Sequence, residues 1–319
     1  MATLFDAAFN EADIPLATDA ILAGLEGREV LVSSITDRID ARFIAQLPRS
    51  VRLIAQFGNG FDNIDVDAAY AAGVTVTNTP SVLTEDTADM AVMLMLALPR
   101  RLVEGAQVLP ATGTWPGWSP TWMLGRRLRG TTLGIVGMGR IGTAVATRAR
   151  ALGLNIQYFS RHRRPPQVEE PLGAVYRQRL DEMLGEVDIV SLHTPLTRDT
   201  VRILDADQLA RLKPEAIVVN VSRSELIDET AMIARIEDGL LAGAALDVFE
   251  HADGRVNPRL LALARAHKVI LTAHMASATL EARIEMGETV IVNIRAFLDG
   301  HQPPHRVLPE GTARKVAGG

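Results

Sequence analysis

The six residues Gly137-Met138-Gly139-Arg140-Ile141-Gly142 constrain this chain more than any other stretch. The apolar run from Thr131 to Val136 leads into them and reads as a buried strand. Ala144 to Leu152, rich in Ala, Val and Arg, reads as the helix that follows. A lone G-x-G-x-x-G says little, but one that closes a strand and opens a helix says much. In that setting Gly137 permits the tight turn, Gly139 lets the backbone approach a pyrophosphate, and Gly142 lets helix and strand pack closely. The helix N-terminus offers unpaired N–H groups and a positive dipole end to phosphate. The spacing predicts a dinucleotide site; the competing reading is a structural glycine turn.

Short apolar segments alternate with helical ones elsewhere, the pattern of an α/β protein with parallel sheets. Strands are expected at Glu29 to Val32, Val51 to Phe57 and Val74 to Thr77, then a long apolar helix from about Thr84 to Leu98 with acids in its first turn. Pro110 to Gly130, with its Gly, Pro and Trp, reads as loop. Further strands are expected at Leu154 to Phe159, Asp188 to Leu192, Ala216 to Val221, Gly243 to Val248 and Lys268 to Thr272. Polar residues stand at or just past these ends: Ser160, His193-Thr194-Pro195, Ser222-Arg223, Asp247 and His274. Open α/β sheets bind ligands outside the carboxyl ends of their strands, so these groups are expected to converge. A last helix, Ile284 to Leu298, leads to a Pro-rich tail expected to return to the first domain. The domains expected are 1–104 with 285–319 for substrate, and 105–284 for the dinucleotide.

The length of 319 residues gives room for two cores. The absence of cysteine excludes disulfides, thiol catalysis and thiolate metal sites, and it is compatible with a cytoplasmic location. No metal site is expected. With a net charge of −5 and no long basic tract, nucleic acid is not an expected partner. No apolar run is long enough to cross a bilayer, so no membrane is expected. Met1 to Asn10 lacks the basic start and apolar centre of a signal peptide.

The end of the second strand after the glycines discriminates between nicotinamide cofactors. NAD sites place an acid there for the ribose 2′-OH. This chain has Ser160, then Arg161, His162, Arg163 and Arg164. No acid repels a 2′-phosphate and several cations attract it, so NADP(H) is favoured over NAD(H), which stays possible. A solvated basic loop is the competing reading.

Together these segments resemble the D-isomer-specific 2-hydroxyacid dehydrogenases, on their glyoxylate/hydroxypyruvate reductase branch. The matching stretches are Gly58 to Asp65, Val76 to Pro80, the glycine motif, Leu192 to Thr197, Val219 to Arg223, Gly243 to Glu250 and His274 to Thr279. The resemblance implies two Rossmann-like or flavodoxin-like domains with an interdomain cleft, a homodimer, and a small 2-keto or 2-hydroxy acid as substrate. It assigns the carboxylate-binding, carbonyl-polarising role to Arg223 and the proton-donating role to His274. It gives the substrate carboxylate to backbone N–H groups at Asn59 and Gly60. Asn78 supports that loop or is a plain turn asparagine. Trp122 matches an aromatic that reaches the pocket across the dimer, and a plain interface or core tryptophan reads as well. Asp247 resembles the carboxylate beneath the nicotinamide amide; a strand-end aspartate with local hydrogen bonds is the alternative. Cofactor contacts fall on Gly137, Gly139, Arg140, Ile141, Gly142, Ser160, Arg161, Arg163, Arg164, His193, Pro195, Thr200, Val221, Ser222, Asp247 and His274.

The chain departs from the family at one telling position. The glutamate that pairs with the catalytic histidine falls on Ala252, and the usual following proline is Asp253. Asp253 is the expected substitute; Glu250 is a second candidate. Without any partner His274 would keep a pKa near the unperturbed value of about 6.5. The leading reading is an NADPH-dependent reductase of a small 2-keto acid. The alternatives are an NAD-linked D-2-hydroxyacid or formate dehydrogenase and a non-enzymatic dinucleotide sensor.

Overall fold

The strand–helix alternation is realised in a computed structural model, which describes residues 3–115, 117–252 and 254–309. Two compact units emerge: Met1–Leu83 with Thr279–Gly319, and Thr84–Ala278. The first division lies well before the expected 104/105, and helix Thr84–Ala97 is the reason. Ala88, Ala91, Leu94 and Met95 are all buried on it, and they pack with Leu133, Val145 and Ile156 of the second unit. A helix apolar on most of its circumference must be surrounded by core. Its first two turns are tied to the same unit, where Arg148 reaches Glu85 at 2.7 Å and Asp89 at 2.5 Å.

The second unit carries a seven-stranded parallel sheet. Its strand order is Val269–Leu271, Gly243–Leu246, Ile217–Asn220, Ile189–Leu192, Thr132–Val136, Asn155–Phe159 and Val175–Tyr176. The strands Ile189–Leu192, Ile217–Asn220 and Gly243–Leu246 are buried at every position. That burial is why they read as continuous apolar runs rather than as alternating ones. From Thr132–Val136 the chain builds outward on one side, then returns to lay Ile189–Leu192 on the other. The direction of winding therefore reverses beside the glycine turn.

The first unit has a four-stranded sheet. Val30–Ser33, Leu53–Gln56 and Thr75–Thr77 run parallel, and Arg306–Val307 adds an antiparallel edge against Val76 and Thr77. The tail thus returns to this sheet. Helix Leu280–Leu298 lays Val290 and Ile294 on Leu53 and Ala55. Its fully buried Asn293 donates from Nδ2 to the Asn78 carbonyl at 3.2 Å and accepts the His305 N–H at Oδ1, also at 3.2 Å. One side chain therefore binds the tail to the end of strand Thr75–Thr77.

Two expectations are corrected. Helix Leu102–Thr112 runs through Pro110, where loop was expected; the proline lies in its final turn and the helix ends on Gly113 in the left-handed region. The helix after the glycines begins at Arg140, not Ala144, because Gly139 is its N-cap.

Replacing Asn293 by Ala strands a buried N–H and a buried carbonyl. Each such orphan costs on the order of 1–3 kcal/mol. Urea unfolding of Asn293→Ala should show a loss of at least that size, with little recovery in Asn293→Asp, which cannot donate to Asn78.

Candidate dinucleotide and substrate sites

The glycine turn is built by contact distances. Gly137 has φ of +99°, and a Cβ there would stand 2.7 Å from the His193 carbonyl oxygen. A Cβ on Gly142 would stand 2.2 Å from the Gly137 carbonyl oxygen. Neither position tolerates a side chain. Gly139 is different, because nothing lies within 4 Å of its ideal Cβ. It caps helix Arg140–Ala151 with no side-chain hydrogen bond, so the first N–H groups, from Arg140 and Ile141 onward, have no capping side chain. An open cradle bounded by helix N–H groups, which a single Cβ would fill, fits a dinucleotide pyrophosphate.

The flank of this turn is fixed by short polar contacts. The His193 N–H donates to the Val136 carbonyl at 2.8 Å, and its ring Nε2 lies 2.8 Å from Ser191 Oγ. Burial pushes the His193 pKa down to about 3, so this imidazole is neutral at ordinary pH. Thr200 Oγ1 accepts the Thr197 N–H and donates to the Pro195 carbonyl, both at 2.7 Å. Ser222 Oγ donates to the Thr194 carbonyl at 2.7 Å, beside the buried Val221.

Arg223 is half-buried just beyond strand Ile217–Asn220. The fully buried Asn220 positions it: Nδ2 donates to the Arg223 carbonyl at 2.8 Å while Oδ1 accepts the Ser222 N–H at 3.0 Å. One guanidinium nitrogen, Nη1, donates to the Ser222 carbonyl at 2.8 Å.

Asp247 is fully buried at the end of Gly243–Leu246. Its Oδ1 accepts from Thr272 Oγ1 at 2.7 Å and from the Met275 N–H at 2.9 Å; its Oδ2 accepts the Ala276 N–H at 2.8 Å. Its main-chain carbonyl accepts the His274 N–H at 2.9 Å. Local hydrogen bonding thus describes the contacts Asp247 makes within the chain. These bonds wrap the backbone around the carboxylate and hold His274 at φ of +52°, a conformation few non-glycine residues adopt. His274 is exposed. Asp253 lies outside the described residues. Ala252 is exposed on the hairpin His251–Ala252/Arg255–Val256, and Glu250 donates its N–H to the buried Glu229 at 2.8 Å.

In the first unit, three successive carbonyls of one loop are held by their own unit. The Gly58 carbonyl accepts the Thr79 N–H at 3.0 Å, the Asn59 carbonyl accepts Asn78 Nδ2 at 2.8 Å, and the Gly60 carbonyl accepts Gln56 Nε2 at 3.2 Å. The N–H groups of residues 58–61 have no acceptor among the described residues. Successive free amides on a fixed loop form an anion-binding concavity.

The loop after strand Asn155–Phe159 holds the proposed cofactor-selecting residues. Ser160 Oγ accepts the Met138 N–H at 2.7 Å, which joins this loop to the glycine turn. Arg163 grips Glu169 with Nη2 at 2.8 Å and Nε at 3.0 Å. Arg161 and Arg164 are exposed, with no side-chain hydrogen bond among the described residues. Trp122 is exposed too, in a segment that follows helix Leu102–Thr112. Sequence reasoning missed Asn220, Gln56, Tyr158 and Glu169. Asn220 and Gln56 had a faint signal, as amides ending apolar strand runs.

A parallel sheet with a glycine turn at its winding reversal, opening onto a bare helix N-terminus, defines a dinucleotide-binding domain. The family model for the NAD-binding domain of D-isomer specific 2-hydroxyacid dehydrogenases matches residues 92–276. A Thermococcus litoralis glyoxylate reductase is 44% identical over 283 residues, 88% of this chain and 83% of the relative. The solved glyoxylate reductase from Paecilomyes thermophila superposes with a TM-score of 0.81 at 35% identity, covering 91% of this chain and 88% of that one. The NADPH-dependent glyoxylate/hydroxypyruvate reductase of Sinorhizobium meliloti, solved with NADP and malonate, gives 0.79 at 33% identity, covering 91% and 87%. The chain belongs to the D-isomer specific 2-hydroxyacid dehydrogenase family, among relatives named glyoxylate reductase. It is an NAD(P)-dependent oxidoreductase. Among the described residues no helix is long and apolar enough to cross a membrane, and no cluster of metal-ligating side chains occurs.

The two helix-end glycines separate folding from binding. Gly139→Ala should leave thermal unfolding within about a degree of the parent while weakening the reduced nicotinamide dinucleotide at least tenfold by fluorescence titration. Gly142→Ala should lower the unfolding midpoint itself, because its Cβ overlaps the Gly137 carbonyl oxygen.

Proposed function

We propose that this enzyme reduces a small 2-keto acid of the glyoxylate or hydroxypyruvate type to the D-2-hydroxy acid, using NADPH. The observation that carries the reading is the fixed pairing of Arg223 with Asn220 at a strand end, beside the His274 turn that Asp247 organises. A bound nicotinamide supplies the hydride. Arg223 has a planar, permanently charged fork for a carboxylate and the adjoining keto oxygen. In the other unit, the amides of residues 58–61 suit a carboxylate. His274 gives a proton to the oxygen as the carbon receives hydride, so one keto acid, one hydride and one proton make the hydroxy acid. Asp253 is the carboxylate we assign as partner to the imidazolium in place of the family glutamate.

Three features support NADPH: the absence of an acid at Ser160, the cations Arg161 and Arg164, and the S. meliloti relative, which is named NADPH-dependent. The exposed apolar residues Leu102, Val103, Leu109, Trp115, Trp118 and Leu124, all within residues 102–124, support a homodimer. Trp122 belongs to this stretch.

Steady-state assays with glyoxylate and hydroxypyruvate should give kcat/KM at least tenfold higher with NADPH than with NADH; equal or better values with NADH defeat the cofactor assignment. Arg223→Ala should lower kcat/KM by more than a hundredfold with cofactor affinity retained. Arg223→Lys should recover little, since an ammonium cannot make the bidentate contact.

Reduction consumes a proton held by His274, so its rate should fall as pH rises. A carboxylate partner stabilises the imidazolium and extends activity to higher pH. Asp253→Asn should therefore slow reduction and move the alkaline decline to lower pH; an unchanged pH profile removes Asp253 from the mechanism.

A further inference from the structure

Ser160 to Pro165 leaves strand Asn155–Phe159 for helix Pro166–Leu172, and that helix faces the loop with an acid. Glu169 is 7% exposed. It accepts the Tyr158 hydroxyl at 2.6 Å and takes Arg163 in two parallel contacts, Nε to Oε1 at 3.0 Å and Nη2 to Oε2 at 2.8 Å. Tyr158 is fully buried, and its hydroxyl also accepts the Arg164 N–H at 2.7 Å. The Tyr176 hydroxyl, whose ring lies 5.3 Å from that of Tyr158, donates to the Ser160 carbonyl at 3.4 Å. Strands Asn155–Phe159 and Val175–Tyr176 and helix Pro166–Leu172 each contribute a tie. The Arg163 hydrogen bond, then Tyr158, holds the Glu169 carboxyl below its ordinary range; burial, then Glu169, pushes the Tyr158 phenol up to about 12. The clamp is thus charged on the acid and neutral on the phenol near neutral pH.

The arginines of this loop are chemically alike in sequence and unlike in the fold. Arg163 is engaged; Arg161 and Arg164 project from a backbone that the clamp has already ordered. Ordering a loop before a ligand arrives removes that entropic cost from binding. We propose that Glu169, seconded by Tyr158, is a positioning residue for cofactor choice: it holds Arg163 as a strut, and the strut presents Arg161 and Arg164 to a ribose 2′-phosphate. This rests on the NADPH reading above and deepens it. Arg163 acts on the cofactor only through the loop. Glu169 favours NADPH although it is an acid, because its charge is spent on Arg163.

The test is calorimetric binding of adenosine 2′,5′-bisphosphate and of 5′-ADP to the full-length protein, which reads the 2′-phosphate without turnover. The parent should bind the bisphosphate at least tenfold more tightly. Equal binding by the parent defeats the NADPH reading and this inference together. Glu169→Gln and Arg163→Ala should each weaken the bisphosphate by roughly fivefold to tenfold and leave 5′-ADP within twofold. The double variant should be no worse than either single one. Arg161→Ala should remove most of the preference, and adding Glu169→Gln to it should change little further. A direct phosphate contact from Arg163 predicts the opposite sign: Glu169→Gln would free the guanidinium and strengthen, or leave unchanged, the bisphosphate affinity. That result, with the parent preference intact, overturns the strut alone. Should Glu169→Gln unfold, Tyr158→Phe with the exposed Arg163→Ala decides the matter: loss of bisphosphate affinity in both supports the clamp, and loss in Arg163→Ala alone overturns it.

Discussion

Backbone meeting backbone at the glycine turn is the contact on which the second unit depends. The missing Cβ atoms of Gly137 and Gly142 let a helix start against the end of one strand while the loop from the neighbouring strand crosses within van der Waals distance. The helix N-terminus is consequently bare and its dipole is aimed outward. Gly139 performs a separate task at the same turn, because the space it leaves is open. Two glycines are demanded by the fold, and the third leaves open space at the helix N-terminus.

Buried polar side chains then set the functional loops. Asn220 shapes the backbone before Arg223, Asp247 wraps the backbone that carries His274, and Glu169 ties the loop of arginines. In each case the buried group spends its hydrogen bonds on main chain or on a neighbouring side chain, and so sets the backbone of the loop that carries the functional residue. A buried polar group without partners would be costly, so these positions admit few substitutes. The first unit repeats the device with neutral groups. Asn293, Asn78 and Gln56 satisfy carbonyls one after another, and the amides of residues 58–61 are left over.

The sequence by itself determined the element order and the class of ligand. Continuous apolar strands, the spacing of three glycines, and polar residues at strand ends follow from local chemistry, so they are legible one after another along the chain. The places of Arg223 and His274 just past strand ends were legible for the same reason, whereas the roles expected of them came from the family resemblance. The position of helix Thr84–Ala97 was not, because an apolar helix states that it is buried without stating where; only packing assigns it to the second unit. Two-residue strands such as Val175–Tyr176 carry no period and exist only through their neighbours. The different fates of Arg161, Arg163 and Arg164 also needed the fold. Identical side chains in one run are told apart only by the buried Glu169 and Tyr158 that the tertiary structure brings against them, and hydrogen bonding at 2.6–3.0 Å is a property of positions in space, not of spacing in sequence.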